Sequence, residues 1–220
     1  MIIETLQLGP VATNCFIIGA EAAGSAAAVI DPGWDAPRVL EVLRRRRWTA
    51  EAVVITHAHF DHIGGVRGVV EATGAPFLVG EHELPVLRVA VERAMTLFGV
   101  EVPEPPAPTR LLREGETIAL AGMTFRVVHT PGHSPGHICL LGDGVAFVGD
   151  VVFQDGIGRT DLPGGNLDTL MRSIATHILT LPDSTELFNG HGPATTVGRE
   201  RRINPFLKGL QPITRAGGDA

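Results

Sequence analysis

The sequence predicts an α+β protein in which two sheets pack together and carry helices on their outer faces. Three observations lead there. Short, β-branched apolar runs bounded by glycine and proline recur along the chain; stretches with apolar residues three and four apart follow them; and the succession occurs twice, on either side of a proline-rich segment. The 220 residues, 44% hydrophobic, are enough for one substantial core in a single domain or two lobes of one domain.

Ile2 to Leu8, Asn14 to Ile18 and Ala26 to Asp31 read as strands separated by Gly-Pro, Gly-Ala and Gly-Ser breaks. Asp31-Pro32-Gly33 is a turn. The segment to Arg46 is helical, with Val39, Leu40, Val42 and Leu43 apolar and Pro37 in the first turn, where its missing N–H is not needed. Arg44 to Arg47 form a basic run, read as a solvated helix end, with a binding patch as the alternative. A buried strand, Ala52 to Ile55, leads into Thr56-His57-Ala58-His59-Phe60-Asp61-His62; Gly64-Gly65 and a helix from about Val66 to Ala72 follow. A strand Pro76 to Val79 and a helical stretch Glu81 to Phe98 complete this half. Val102 to Thr109, with four prolines, is a stiff surface connector and not a domain boundary. Beyond it, Thr117 to Leu120, Thr124 to His129, His137 to Leu141 and Val145 to Val148 are strands. A helix over Leu167 to Leu181 and a strand over Glu186 to Phe188 end the second half. Residues 1–208 are expected to form the domain, and 209–220 a flexible tail.

Four metal-ligand side chains, His57, His59, Asp61 and His62, stand within six residues at the end of a strand. Residues two apart on an extended chain share a face, so His57 and His59 can grip one ion while Asp61 and His62 turn to a neighbouring position. These are too many donors for one small ion and read as half of a two-metal site. The remaining donors also sit just beyond strands: His133 between two Pro-Gly pairs, Asp150 after Val145 to Gly149, and His191 in Asn189-Gly190-His191-Gly192-Pro193. A carboxylate at the position of Asp150 can lie between two ions.

Composition narrows the function. A net charge of −6 argues against nucleic acid as the main partner. Phe16 to Ile30, the most apolar stretch, is too short and too interrupted to span a bilayer, and Met1-Ile-Ile-Glu-Thr has no basic region of a secretory signal. Cys15 and Cys139 read as buried hydrophobes of a protein in a reducing cytosol.

The series His57, His59, Asp61, His62, His133, Asp150, His191 resembles the metallo-β-lactamase-fold hydrolases, and within them the glyoxalase II-like proteins. The likeness runs from Thr13-Asn14-Cys15 to the stretch Arg201 to Phe206, and Gly158 to Gly165 resembles the short bacterial branch. The resemblance implies a four-layer αββα sandwich with the site along one edge of the sheets. It assigns His57, His59 and His133 to a first metal, Asp61, His62 and His191 to a second, and Asp150 to both. Nitrogen and carboxylate donors without thiolate suit two Zn²⁺, with Fe or Mn also accommodated. Two ions about 3.5–4 Å apart hold a bridging water and lower its pKa from about 15.7 toward about 7. The expected activity is hydrolysis of a thioester, S-lactoylglutathione first, with Asp61 orienting the nucleophile. The alternative is a mononuclear Fe(II) persulfide dioxygenase using His57, His133 and Asp150.

Arg159 and Asp161 have two readings: Arg159 bonding a carboxylate behind the ligands, or a turn closed by its own Asp. His137 and His129 read as strand and core-adjacent residues, and His82 and His177 as ordinary helix residues. Arg199, Arg201, Arg202 and Lys208 could meet an anionic substrate or form a solvated helix face. Full-length glyoxalase II enzymes have an added C-terminal helical region and tyrosines that hold glutathione; no tyrosine occurs here. The acyl group, the thiol carrier and the oligomeric state stay open.

Overall fold

The structure, a computed structural model, describes residues 1–214. Its first sheet has the order β1 (Ile2–Leu8), β2 (Thr13–Gly19), β3 (Ala26–Ile30), β4 (Thr49–Val54), β5 (Phe77–Gly80) and β6 (Arg110–Leu112). The hairpins β1–β2 and β2–β3 are antiparallel, and β3 to β6 run parallel. Helices α1 (Ala36–Arg46), α2 (Phe60–Ile63), α3 (Val66–Thr73), α4 (Leu84–Leu87) and α5 (Ala90–Phe98) belong to this half.

The second sheet is built from β7 (Thr117–Leu120), β8 (Met123–His129), β9 (Ile138–Leu141), β10 (Val145–Gly149), β13 (Glu186–Asn189) and β14 (Thr195–Thr196), with β7 and β14 at its edges. The small hairpin β11 (Val152–Phe153) and β12 (Gly156–Ile157) stands apart. Helix α6 (Leu167–Ser173) widens into a π turn over Ile174–Ile178, and α7 is Val197–Ile203.

Period-two alternation in the buried strands sorts side chains into layers. Cys15 and Ile17 on β2, Ala27 and Val29 on β3, and Phe77 and Val79 on β5 face the helices of the first half. Their neighbours Phe16, Ile18, Ala28, Ile30 and Leu78 meet Phe125, Val127, Leu140 and Phe147 between the sheets. Val128, Cys139, Ala146 and Val148 face Leu170, Ile174 and Ile178 on the far side. Helix, sheet, sheet, helix is the four-layer sandwich the sequence predicts.

Several segments differ from expectation. The helical stretch 81–98 is a 3₁₀ turn (Glu81–Glu83) followed by α4 and α5, because Val89 leaves helical geometry at φ −114° and ψ 4°. The proline-rich connector delivers β6 to the edge of the first sheet, so the chain changes sheets after it, between β6 and β7. The hairpin β11–β12, β14 and α7 are additional elements. Of the expected tail, 215–220 lie outside the described residues; Leu210 packs on the outer cluster and the Ile213 N–H donates to the Ala175 carbonyl at 2.9 Å. Among the described residues no helix is long and apolar enough to cross a membrane.

Candidate metal centre

Beyond β4 the chain bends at Thr56, is extended at His59 (φ −69°, ψ 150°), and then enters the single turn α2. This segment brings His57 and His59 together, with Nε2 and Nδ1 3.1 Å apart. The helical turn carries Asp61 and His62 to the adjoining position. His133, from the loop between β8 and β9, brings its Nε2 to 3.1 Å from His57 Nε2. Asp61 Oδ2 lies 3.4 Å from His62 Nε2 and 3.2 Å from His191 Nε2. Asp150, next after β10, stands between the groups: Oδ1 is 3.4 Å from His62 Nε2, and Oδ2 is 3.5 Å from both His133 Nε2 and His191 Nε2. All seven side chains singled out in the sequence come together, in the overlapping triads His57–His59–His133, His57–His62–Asp150 and Asp61–His62–His191.

This constellation fits metal cations. Donors about 2.0–2.1 Å from a tetrahedral ion stand about 3.3 Å from one another, and the separations here run from 3.1 to 3.5 Å. Neighbours also fix the tautomers. The Thr56 hydroxyl donates to Asp31 Oδ2 at 2.7 Å, so it accepts from His57 Nδ1 at 3.1 Å. His133 Nδ1 donates to the Arg159 carbonyl at 2.7 Å. Each Nε2 therefore turns a lone pair toward the other, which repels unless a cation lies between them. His62 Nε2 and Asp150 Oδ1 are buried and make no hydrogen bond among the described residues, the state of atoms shaped for a metal.

The electrostatics divide the donors. Burial, reinforced by the neighbouring imidazoles, holds His57 well below the usual histidine range and brings His59 down to about 3; burial lowers His133 too. These three are neutral at pH 7. Burial opposes ionisation of Asp61, but His62, His191 and Thr13 together outweigh it and bring the carboxyl to about 2. Asp150 is likewise held low against burial, chiefly by His62 and His191. Burial works against charge on His62 and His191 as well, yet the carboxylates prevail, raising His62 and bringing His191 to about 9.

The donors rest on residues the motif did not reveal. Asp31, read as part of a turn, accepts the Thr56 N–H at 2.7 Å and lies 3.0 Å from His62 Nδ1. Thr13 donates to Asp61 Oδ2 at 2.8 Å. Asn14 donates to the carbonyls of Asn189 and Gly192 on either side of His191. His137, read as a strand residue, is buried and accepts the Asp150 N–H on Nε2 at 3.2 Å. Gly190 admits no side chain, since a Cβ there would lie 2.1 Å from Asp150 Oδ1. Only partners distant in sequence distinguish Thr13, Asn14 and Asp31 from ordinary strand-end residues, so no local signal marks them.

Arg159 and Asp161, expected to serve either a carboxylate behind the ligands or a local turn, bond each other. The Arg159 guanidinium makes two 2.7 Å bonds to the exposed Asp161, while the Arg159 carbonyl orients His133. Of the basic C-terminal group, Arg199 pairs with Asp155 and Glu200, and Arg201 and Arg202 with Asp183. Their charges are engaged within the fold. His129 bonds the Pro135 carbonyl and lies against His82, with the ring planes tilted by 43°. Cys15 and Cys139 are free and buried, and burial pushes the Cys139 thiol up to about 12.

Beside the donors opens a cleft of about 210 Å³, walled by Val11, Phe60, Phe98 and Leu162, with Arg159 at its side. Donors aimed into such a cleft can engage a small molecule.

Comparison with known proteins identifies the family. A hydroxyacylglutathione hydrolase, GloC, of Haemophilus influenzae is 36% identical over 94% of this chain and 98% of its own length. The crystal structure of the BLEG-1 B3 metallo-β-lactamase superposes with a TM-score of 0.89 at 38% identity, covering 94% of this chain and all of that one. That of TTHA1623 in a di-iron-bound form has a TM-score of 0.83 at 38% identity, covering 93% and 100%. Residues 8–191 match the family model of the metallo-β-lactamase superfamily, to which this chain belongs.

Proposed function

We propose that this chain is a dinuclear metallohydrolase that cleaves a small thioester, with S-lactoylglutathione the first compound to test. The observation that carries the reading is Asp150, whose carboxylate faces His133 of one triad and His62 and His191 of the other. His57, His59 and His133 would hold one ion, Asp61, His62 and His191 the second, and Asp150 both. Zn²⁺ suits this donor set; the di-iron form of a relative makes iron the next choice, and manganese remains compatible. Two bound ions would supply an activated water and polarise the substrate carbonyl.

The chain's own groups do the rest. The contacts of Asp61 with Thr13, His62 and His191 gather on Oδ2, which would leave Oδ1 to orient the attacking water. Val11, Phe60, Phe98 and Leu162 exclude water around the acyl group. A thiolate leaves without a strong acid, which matches a chain containing no tyrosine. The relative named as a hydroxyacylglutathione hydrolase supports a glutathione-linked acyl group. The two free, buried cysteines suit a cytoplasmic protein.

The persulfide dioxygenase alternative needs only His57, His133 and Asp150, and leaves the convergence of Asp61, His62 and His191 without a purpose. Metal analysis of the freshly purified protein, with a panel of thioesters, glutathione persulfide and a β-lactam, separates the readings. Two ions per chain and thioester turnover are expected. One iron with oxygen uptake on the persulfide, or β-lactam cleavage without thioester turnover, would replace the proposal.

A further inference from the structure

Glu83 ends the 3₁₀ turn after β5 and is 0% exposed. A carboxylate so placed must find hydrogen-bond donors. Oε1 accepts the Ala58 N–H at 2.8 Å and lies 2.6 Å from the Ser134 hydroxyl; Oε2 accepts the Gly136 N–H at 2.8 Å and lies 2.8 Å from the same hydroxyl. Ala58 stands between His57 and His59, and Ser134 follows His133. One side chain thus bonds both segments that deliver the three imidazoles of the first triad. The backbones are close as well: a Cβ on Gly136 would lie 2.0 Å from Glu83 N.

We propose that Glu83 is a positioning residue that fixes the spacing of His57, His59 and His133 and thereby sets the affinity of the first metal position. The inference rests on the metal-centre reading above. It takes its force from Glu83 being a buried side chain that ties together two loops that different sheets supply. Burial pushes the carboxyl up to about 7 although Ser134, Ala58 and Gly136 pull it down, so the brace is held at some cost to the fold.

Glutamine is the informative replacement. Each Glu83 oxygen accepts a backbone N–H, and glutamine keeps one acceptor, so in either orientation its NH₂ faces an N–H. The test titrates chelator-treated wild type, Glu83→Gln, Ser134→Ala and Glu200→Gln with Co²⁺ by absorption and Zn²⁺ by competition, with circular dichroism and Tm as checks of fold. Glu83→Gln is expected to weaken one of the two metal equivalents at least about tenfold while leaving the other within about threefold, and Ser134→Ala to weaken the same equivalent less. Glu200 is the control: it is buried outside the site and accepts from Asp155 N and Asn204 Nδ2, both at 2.9 Å. Its variant should lower Tm and leave both affinities alone.

Folded Glu83→Gln binding both equivalents like wild type would overturn the inference. If that variant does not fold, unchanged affinities in Ser134→Ala overturn it. An equal loss in Glu200→Gln would also do so, by showing general destabilisation. Wild type that takes up no metal would remove the metal-centre reading and this inference together, whereas the variant outcomes remove the inference alone.

Discussion

Asp150 holds the two triads in one frame, because its carboxylate reaches His133 of the first and His62 and His191 of the second. Asp150→Ala should therefore lower occupancy of both metal equivalents, where His59→Ala or Asp61→Ala should lower one. Each of the three is expected to cut thioester turnover at least about a hundredfold with the fold retained by circular dichroism. Wild-type turnover in any of them would remove that residue from the mechanism. Protonation offers a second test. His191, brought to about 9, carries a proton at pH 7 that a metal must displace, and the raised His62 behaves alike. His57, His59 and His133 are lowered and have no proton to lose there. Calorimetry in buffers of different ionisation enthalpy should record proton release for one equivalent and almost none for the other. Equal release from both would contradict the assignment. In metal-free protein the raised His191 adds stability that is complete below about 6.5 and lost as pH rises through about 9. The lowered His59 acts oppositely, costing stability as pH falls from about 6.5 toward about 3. Both contributions are complete only near about 6.5, so the chelated protein should have its highest Tm there and lose it on either side, a profile that thermal melts can check.

The elements that hold the donors set the next scale. The N-terminus of α6 backs onto the His133 loop: the Asn166 N–H donates to the Gly132 carbonyl at 2.7 Å, and a Cβ on Gly132, at φ +135°, would lie 2.3 Å from Leu170 N. Gly132→Ala should cost about 1–3 kcal/mol in urea unfolding, since it combines backbone strain with a clash, and should weaken the metal equivalent that His133 serves. Asn166→Ala removes only the cap bond from Thr169 N, 2.8 Å long, and should cost about 0.5–2 kcal/mol without changing metal content. The same scale shows what the sequence conveys. Buried strands such as β3, β4 and β10 are legible because each contains a short apolar run with β-branched residues, too short for a helix and followed by turn residues. The hairpin β11–β12 carried a usable sign, Asp155-Gly156, with Asp155 at φ +60°. The start of α7 carried another in Thr196, whose hydroxyl accepts the Arg199 N–H. The break at Val89 and the roles of Asp31 and Glu83 left no local trace, since they follow from which distant segments pack against them.

At the scale of the whole molecule, His57, His59, Asp61 and His62 follow a strand of the first sheet, and His133, Asp150 and His191 follow strands of the second. Metal uptake should stabilise the folded chain by about 2.7 kcal/mol when free ion exceeds its Kd a hundredfold. That corresponds to roughly 2–4 °C in Tm per kcal/mol for a chain of this size, so chelation should lower the melting temperature measurably. An unchanged Tm would mean that no ion binds the folded chain in preference to the unfolded one. The hydrophobic faces of the sandwich meet through Phe16, Phe125, Phe147 and their neighbours, and that contact grips everywhere with no preferred point. The metal centre is different in kind: a rivet at one rim. Drawing it should let the rim gape first, so that amide hydrogen exchange quickens at the outlets of β4, β10 and β13 before it reaches the interior of the seam.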